Sequence, residues 1–128
     1  MQDDVTGNWW FQVMGENVGY YPKELFTTLA NGAMRSGWGG EIYSSVIEAS
    51  PAMGSGHFPE EGFRKACFIR QMKLLDPSYS AIYPGNSTLW EYVSKPQCYN
   101  VAYAGDYGGD SGHTMYFGGP PGCQPWED

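Results

Sequence analysis

Basic residues are scarce in this chain: 7 Lys and Arg stand against 14 Asp and Glu, a formal net charge of -7 over 128 residues. With no basic cluster it lacks the footprint of a nucleic-acid or anionic-membrane surface, and neither is expected as a partner. Apolar runs are too short to span a membrane as a helix. The start, Met1-Gln2-Asp3-Asp4, is acidic and has none of the apolar core of a signal peptide. It points either to an intracellular protein or to a chain that begins inside a longer precursor. There is no Cys-x-x-Cys pair, no GxGxxG ahead of a helix and no Ser-His-Asp order in a recognisable elbow, so redox, dinucleotide and serine-hydrolase chemistry have no evident carriers. No cofactor is expected.

Turn formers and aromatics are abundant instead, with Gly 18, Pro 9, Tyr 10, Phe 6 and Trp 5. Alternating runs are short and punctuated by turns, an all-β composition. The length suits one domain over 1–128, or part of one. Of three cysteines, Cys98 and Cys123 are the favoured pair, since they flank the glycine-rich C-terminal segment. Closing that loop would stabilise by roughly 3 kcal/mol on the chain-entropy estimate. Cys67 is left as a buried apolar residue. Asn86-Ser87-Thr88, after Pro84-Gly85, is an N-glycosylation sequon with Asn86 as acceptor, which fits a secreted protein.

The central stretch is Ser36-Gly37-Trp38-Gly39-Gly40-Glu41-Ile42-Tyr43-Ser44. Its period predicts a strand in which Trp38, Gly40, Ile42 and Ser44 point one way, and Glu41 and Tyr43 the other. Glycines beside a lone acid supply no packing, so something approaches that backbone closely: a ligand, or simply a bend at a sheet edge.

Residues 6–13 read as a strand with Trp9, Phe11 and Val13 on a core face and Asn8, Trp10 and Gln12 on the other, which suits a binding groove or a half-exposed outer sheet. Pro22, with Leu25, Phe26, Leu29 and Ala30 at helical spacing before Asn31-Gly32, predicts a short surface helix or turn. Residues 53–63 are too rich in glycine and proline for a regular element, and their His57, Glu60 and Glu61 match no zinc spacing. Further strands are predicted over 63–75, 89–93, 98–104 and 114–117, with Tyr99, Val101 and Tyr103 sharing a face. Asp106, Asp110 and His113, in the loop over 105–113, lack EF-hand order. Carboxylates are the chemistry that remains. A single Glu serves as a general base toward water, yet peptide or glycoside hydrolysis needs a second group to protonate or polarise the substrate.

Five blocks, Thr6-Gly7-Asn8-Trp9-Trp10, Gly19-Tyr20-Tyr21-Pro22-Lys23-Glu24-Leu25-Phe26, Trp38-Gly39-Gly40-Glu41-Ile42-Tyr43, the run from Met53-Gly54-Ser55-Gly56-His57 to Phe63, and Cys98-Tyr99-Asn100, resemble in this order the C-terminal part of the neprosin family of plant proteins. The resemblance implies a secreted glutamic endopeptidase that cleaves after proline at acid pH, without metal or cofactor, in an antiparallel β-sandwich with its groove across one sheet. It maps one catalytic glutamate onto Glu41 and pairs Cys98 with Cys123, while the residue pattern itself offers Trp10, Gln12 and Tyr43 as candidates for the same cleft face. The family's second glutamate lies upstream of Thr6 and has no counterpart here. Glu41 alone is a base with no acid, so the chain by itself is expected to be inactive. The alternative is a non-catalytic groove binder whose Trp10, Tyr20, Tyr21 and Tyr43 stack on cell-wall carbohydrate or a proline-rich peptide. Half a sandwich would also expose a sheet edge, through which chains self-associate.

Overall fold

The computed structural model describes residues 1–45, 48–85 and 88–124. It is all-β, with every strand pairing antiparallel. The chain divides into two compact units, residues 1–37 and residues from Trp38 onward.

The first unit is a two-stranded ribbon of β1 (Trp9–Val13) and β2 (Glu16–Tyr21), followed by 3₁₀ turns at Lys23–Leu25 and Leu29–Asn31. The predicted helix is thus two separate turns. Gly32, at φ 103°, ends the second of them. The ribbon has a register shift between Phe11 and Gln12. Trp9 is half-buried, its indole N–H donating to the Leu29 carbonyl at 3.1 Å. The expected core face stops there: Phe11 is 55% exposed and Val13 45%. A ribbon of two strands has no second layer of its own to cover that face.

The second unit is built on a sheet with order β3-β7-β6, where β3 is Cys67–Ile69, β6 is Asn100–Asp106 and β7 is His113–Gly118. A small ribbon pairs β4 (Leu74–Leu75) with β5 (Ala81–Ile82). The central strand β7 carries the core, with Thr114, Met115 and Tyr116 buried. Cross-strand pairing puts Cys67 and Val101 opposite Phe117, and Ile69 and Tyr103 opposite Met115, so these side chains share a face.

One strand was expected over 63–75, and two short ones form. Arg64 and Gln71 take φ of 73° and 57°, left-handed conformations that end pairing on either side of β3. Gln71 and Met72 instead donate their N–H groups to Ser111 and His113 carbonyls. Residues 89–93 form no strand either. Their link to the sheet is a side chain: Glu91 Oε1 accepts the Tyr103 N–H at 2.6 Å on the edge strand β6.

Cys98 and Cys123 form a disulfide with a Cα–Cα distance of 5.5 Å. It ties the start of β6 to residues 119–123, which pair in turn with 50–53: Ser50 N–H donates to Cys123 O, Gly122 N–H to Ser50 O, and Met53 N–H to Gly119 O. Tyr99 adds a bond from its hydroxyl to the Pro51 carbonyl at 2.7 Å. Gly118 fits beneath this segment because a Cβ there would sit 2.6 Å from the His57 carbonyl oxygen, and its φ of 146° disfavours other residues. Cys67 is the one free cysteine among the described residues and is half-buried. The Asn86 acceptor lies outside the described residues.

Candidate functional site

Residues 38–45 form no strand, which corrects the expectation from their period. The alternation survives without the ladder: Ile42 and Ser44 are half-buried, while Glu41 is exposed and Tyr43 is 97% exposed. Gly40 supplies the reason. A Cβ at this position would lie 2.8 Å from Met53 Sδ and 2.8 Å from Cδ2 and Cε2 of Phe117. The close neighbour that the glycines implied is therefore the aromatic ring of β7, and the segment is seated on that ring side-on rather than paired along an edge.

A chain of constraints leads to Glu41. The disulfide holds 119–123, that segment holds 50–53, and Met53 together with Phe117 holds the Gly40 backbone. The next residue, Glu41, projects into solvent from a backbone fixed one position earlier. Among the described residues no hydrogen bond or ion pair engages its carboxylate.

The substrate-face candidates belong to different units. Trp10 and Gln12 lie on β1 in the first unit, and Tyr43 lies beside Glu41 in the second. Trp10 and Tyr20 are cross-strand partners with ring centroids 5.0 Å apart. The Gln12 amide donates to Asn17 Oδ1 at 2.6 Å across the ribbon.

His57, Glu60 and Glu61 do not converge. His57 Nδ1 meets Glu61 Oε2 at 2.9 Å, whereas Glu60 Oε1 accepts from Asn100 Nδ2 at 2.8 Å. Glu61 is held below the usual carboxylate range, first by the His57 hydrogen bond and further by the Phe58 N–H and Lys65, against a smaller opposing effect of burial. These contacts fasten the 3₁₀ turn Pro59–Glu61, with Phe58 N–H donating to Glu61 Oε1 at 3.2 Å. Among the described residues no group of three or more His, Cys, Asp and Glu side chains is arranged to hold a metal ion.

A family model described as Neprosin matches residues 1–120. The chain belongs to the Neprosin family. The match spans both compact units. In this Neprosin chain no helix among the described residues is long and apolar enough to cross a membrane.

Two features escaped the sequence reading. Leu89, Trp90, Glu91 and Tyr103 line a shallow hollow of about 430 Å³, with Trp90 82% exposed at its rim. Beside it Tyr83, Tyr103 and His113 stack, with Asp106 near the imidazole. The face alternation of β6 and the hairpin to β7 were legible signals for Tyr103 and His113, but the approach of Tyr83 and Glu91 is a long-range event with no local pattern.

Proposed function

We propose that this chain serves a neprosin-type glutamic endopeptidase, cleaving peptides after proline, with Glu41 as one of two catalytic carboxyls. Two neighbouring carboxyl groups resist ionising together, so in mild acid one is ionised and the other protonated. The ionised member takes a proton from water as it attacks, and the protonated member polarises the scissile carbonyl. The observation that carries the reading is Gly40 seated on Phe117 and Met53, which presents the Glu41 carboxylate to solvent from a restrained backbone within a Neprosin match. A secreted site of action accords with the Cys98–Cys123 disulfide.

With Glu41 alone, the chain binds but does not turn over. Titrating a proline-containing peptide at acid pH is expected to move the Glu41 and Tyr43 amide resonances, with no cleavage product. Cleavage abolished by Glu41→Gln would show that a second group lies within this chain; cleavage indifferent to that change, or no shift at Glu41, would refute the assignment. A second reading, a groove binder without catalysis, is favoured by the Trp10–Tyr20 pair. Affinity for cell-wall oligosaccharide that is lost in Trp10→Ala and independent of Glu41 would support it.

A further inference from the structure

The sheet of the second unit has two faces, and the Glu41 segment uses one of them. Gly40 rests on Phe117, which shares its face with Cys67 and Val101. Phe68 and Tyr116, cross-strand partners on β3 and β7, turn the opposite way together with Ala102 of β6. On that second face the aromatic rings continue as a ridge. Phe63 and Phe68 have centroids 6.1 Å apart, and Phe68 meets Tyr116 edge-on at 6.3 Å. Tyr116 is buried and hydrogen-bonded to the Tyr107 side chain, which fixes the inner part of the ridge. The flanks are open, with Phe63 61% exposed and Tyr107 58%.

Two of the three arginines in the sequence lie on this ridge. The Arg70 guanidinium sits over the Phe68 ring, 5.0 Å from its centroid, and that of Arg64 over the Phe63 ring at 5.8 Å. Both residues are exposed, and neither has an ion-pair partner among the described residues. The carboxylates nearest in sequence are already engaged, Glu61 with His57 and Lys65, and Glu60 with Asn100. An aromatic ring attracts a guanidinium through its quadrupole and takes up none of its conventional hydrogen bonds, so the N–H donors of both side chains remain for a carboxylate. Contact with the ring also restrains the long side chain before a partner arrives, which lowers the cost of binding. An oxyanion thus meets two held donors beside flat apolar rings, on a chain whose net charge of -7 otherwise disfavours anions.

We infer that the ridge of Phe63 and Phe68, with Arg64 and Arg70, is a binding site for an acidic oligosaccharide, a run of hexuronate units whose C–H faces rest on the rings while their carboxylates meet the guanidiniums. The exposed Tyr107 hydroxyl is a partner for the sugar hydroxyls. An acidic peptide is matched less well. β3 is an edge strand of three residues, bounded by the left-handed Arg64 and Gln71, and the Gln71 N–H is committed to the Ser111 carbonyl, so a peptide backbone finds no ladder to extend. Ring faces and positive charge are what this surface offers, and a sugar acid uses both. The site lies across the sheet from Phe117 and the Glu41 segment, and it does not depend on peptide cleavage.

The test is an NMR titration of the full chain, at low ionic strength, with oligogalacturonate, its methyl ester and polyglutamate. Oligogalacturonate should move the amide resonances of Arg64, Phe68 and Arg70. The ester keeps the rings and loses the charge, polyglutamate keeps the charge and has no sugar ring, and both should bind more weakly. Arg64→Gln and Arg70→Gln should each weaken oligogalacturonate binding by about two- to fivefold, the size of one exposed ion pair. Phe63→Ala should weaken it as well, whereas Trp10→Ala and Glu41→Gln should leave it unchanged. No shift at those amides, polyglutamate bound as tightly as the sugar acid, affinity that survives both arginine changes, or affinity lost in Trp10→Ala would overturn the site. Should Phe63→Ala fail to fold, the two arginine variants, which alter exposed side chains, decide the matter with the three ligands.

Discussion

Alanine at position 40 would put a methyl group 2.8 Å from Met53 Sδ and from two carbons of the Phe117 ring. Carbon atoms pack at about 3.5–4.0 Å, so both neighbours must move. The thioether of Met53 is flexible and swings aside at small cost. Phe117 is half-buried on the central strand, opposite Cys67 on one side and Val101 on the other, and has less freedom. Overpacking of this kind costs about 1–3 kcal/mol. Replacing glycine also removes unfolded-state freedom, which returns about 0.4–1 kcal/mol. The expected net loss for Gly40→Ala is about 1–2 kcal/mol, a fall in Tm of roughly 3–8 °C. Its neighbour is the control: a Cβ on Gly39 meets nothing within 4 Å, so Gly39→Ala should gain about 0.4–1 kcal/mol. Phe117→Leu shortens the obstructing side chain, and in that background the Gly40→Ala penalty should shrink by about half or more. Urea unfolding of the unmodified chain and these four variants, the double variant included, measures all of this. Gly40→Ala as stable as Gly39→Ala, or no coupling to Phe117, would refute the seating of the Glu41 segment on β7.

Removing both Cys98 and Cys123 should lower stability by roughly 3 kcal/mol in chemical unfolding, since the bond closes a 25-residue separation. Tyr99→Phe leaves the Pro51 carbonyl without its 2.7 Å donor and should cost about 1 kcal/mol, read from the urea midpoint. For Glu61 the sign is that of a carboxyl held lower in the folded state than its ordinary 4.5. The unfolded chain then binds more protons in acid, so this contribution is present above about pH 4.5 and lost as pH falls through the folded value. A melting series in acid should show it, and Glu61→Gln should flatten that limb.

The all-β class, the family and the free state of Cys67 could be read from residues alone, because composition, ordered motifs and cysteine spacing are properties of the chain. So could the direction of most side chains near Glu41: exposure still alternates at Glu41, Ile42, Tyr43 and Ser44 because an extended backbone turns successive side chains to opposite sides whether or not it pairs. What the period could not say was which extended segments find a ladder. Residues 100–106 and 113–118 do, as neighbours across a hairpin. Residues 89–93 form no ladder and meet the sheet through the Glu91 side chain, and 63–75 is divided by the left-handed Gln71. Nor could it say that Phe11 and Val13 would remain exposed, since burial depends on a second layer that no local pattern encodes.

Glu41 shows the division most clearly. Its residue type and its glycine neighbours marked it as a place where something approaches the backbone. Only tertiary structure decided that the neighbour is Phe117, contributed by a strand more than seventy residues later and held with Met53 through the Cys98–Cys123 bond. The same holds for the imidazole of His113, which Tyr83 and Tyr103 flank because segments distant in the chain pack together. Local sterics set the direction of each side chain; the partners that give it chemistry come from packing between segments distant in the chain.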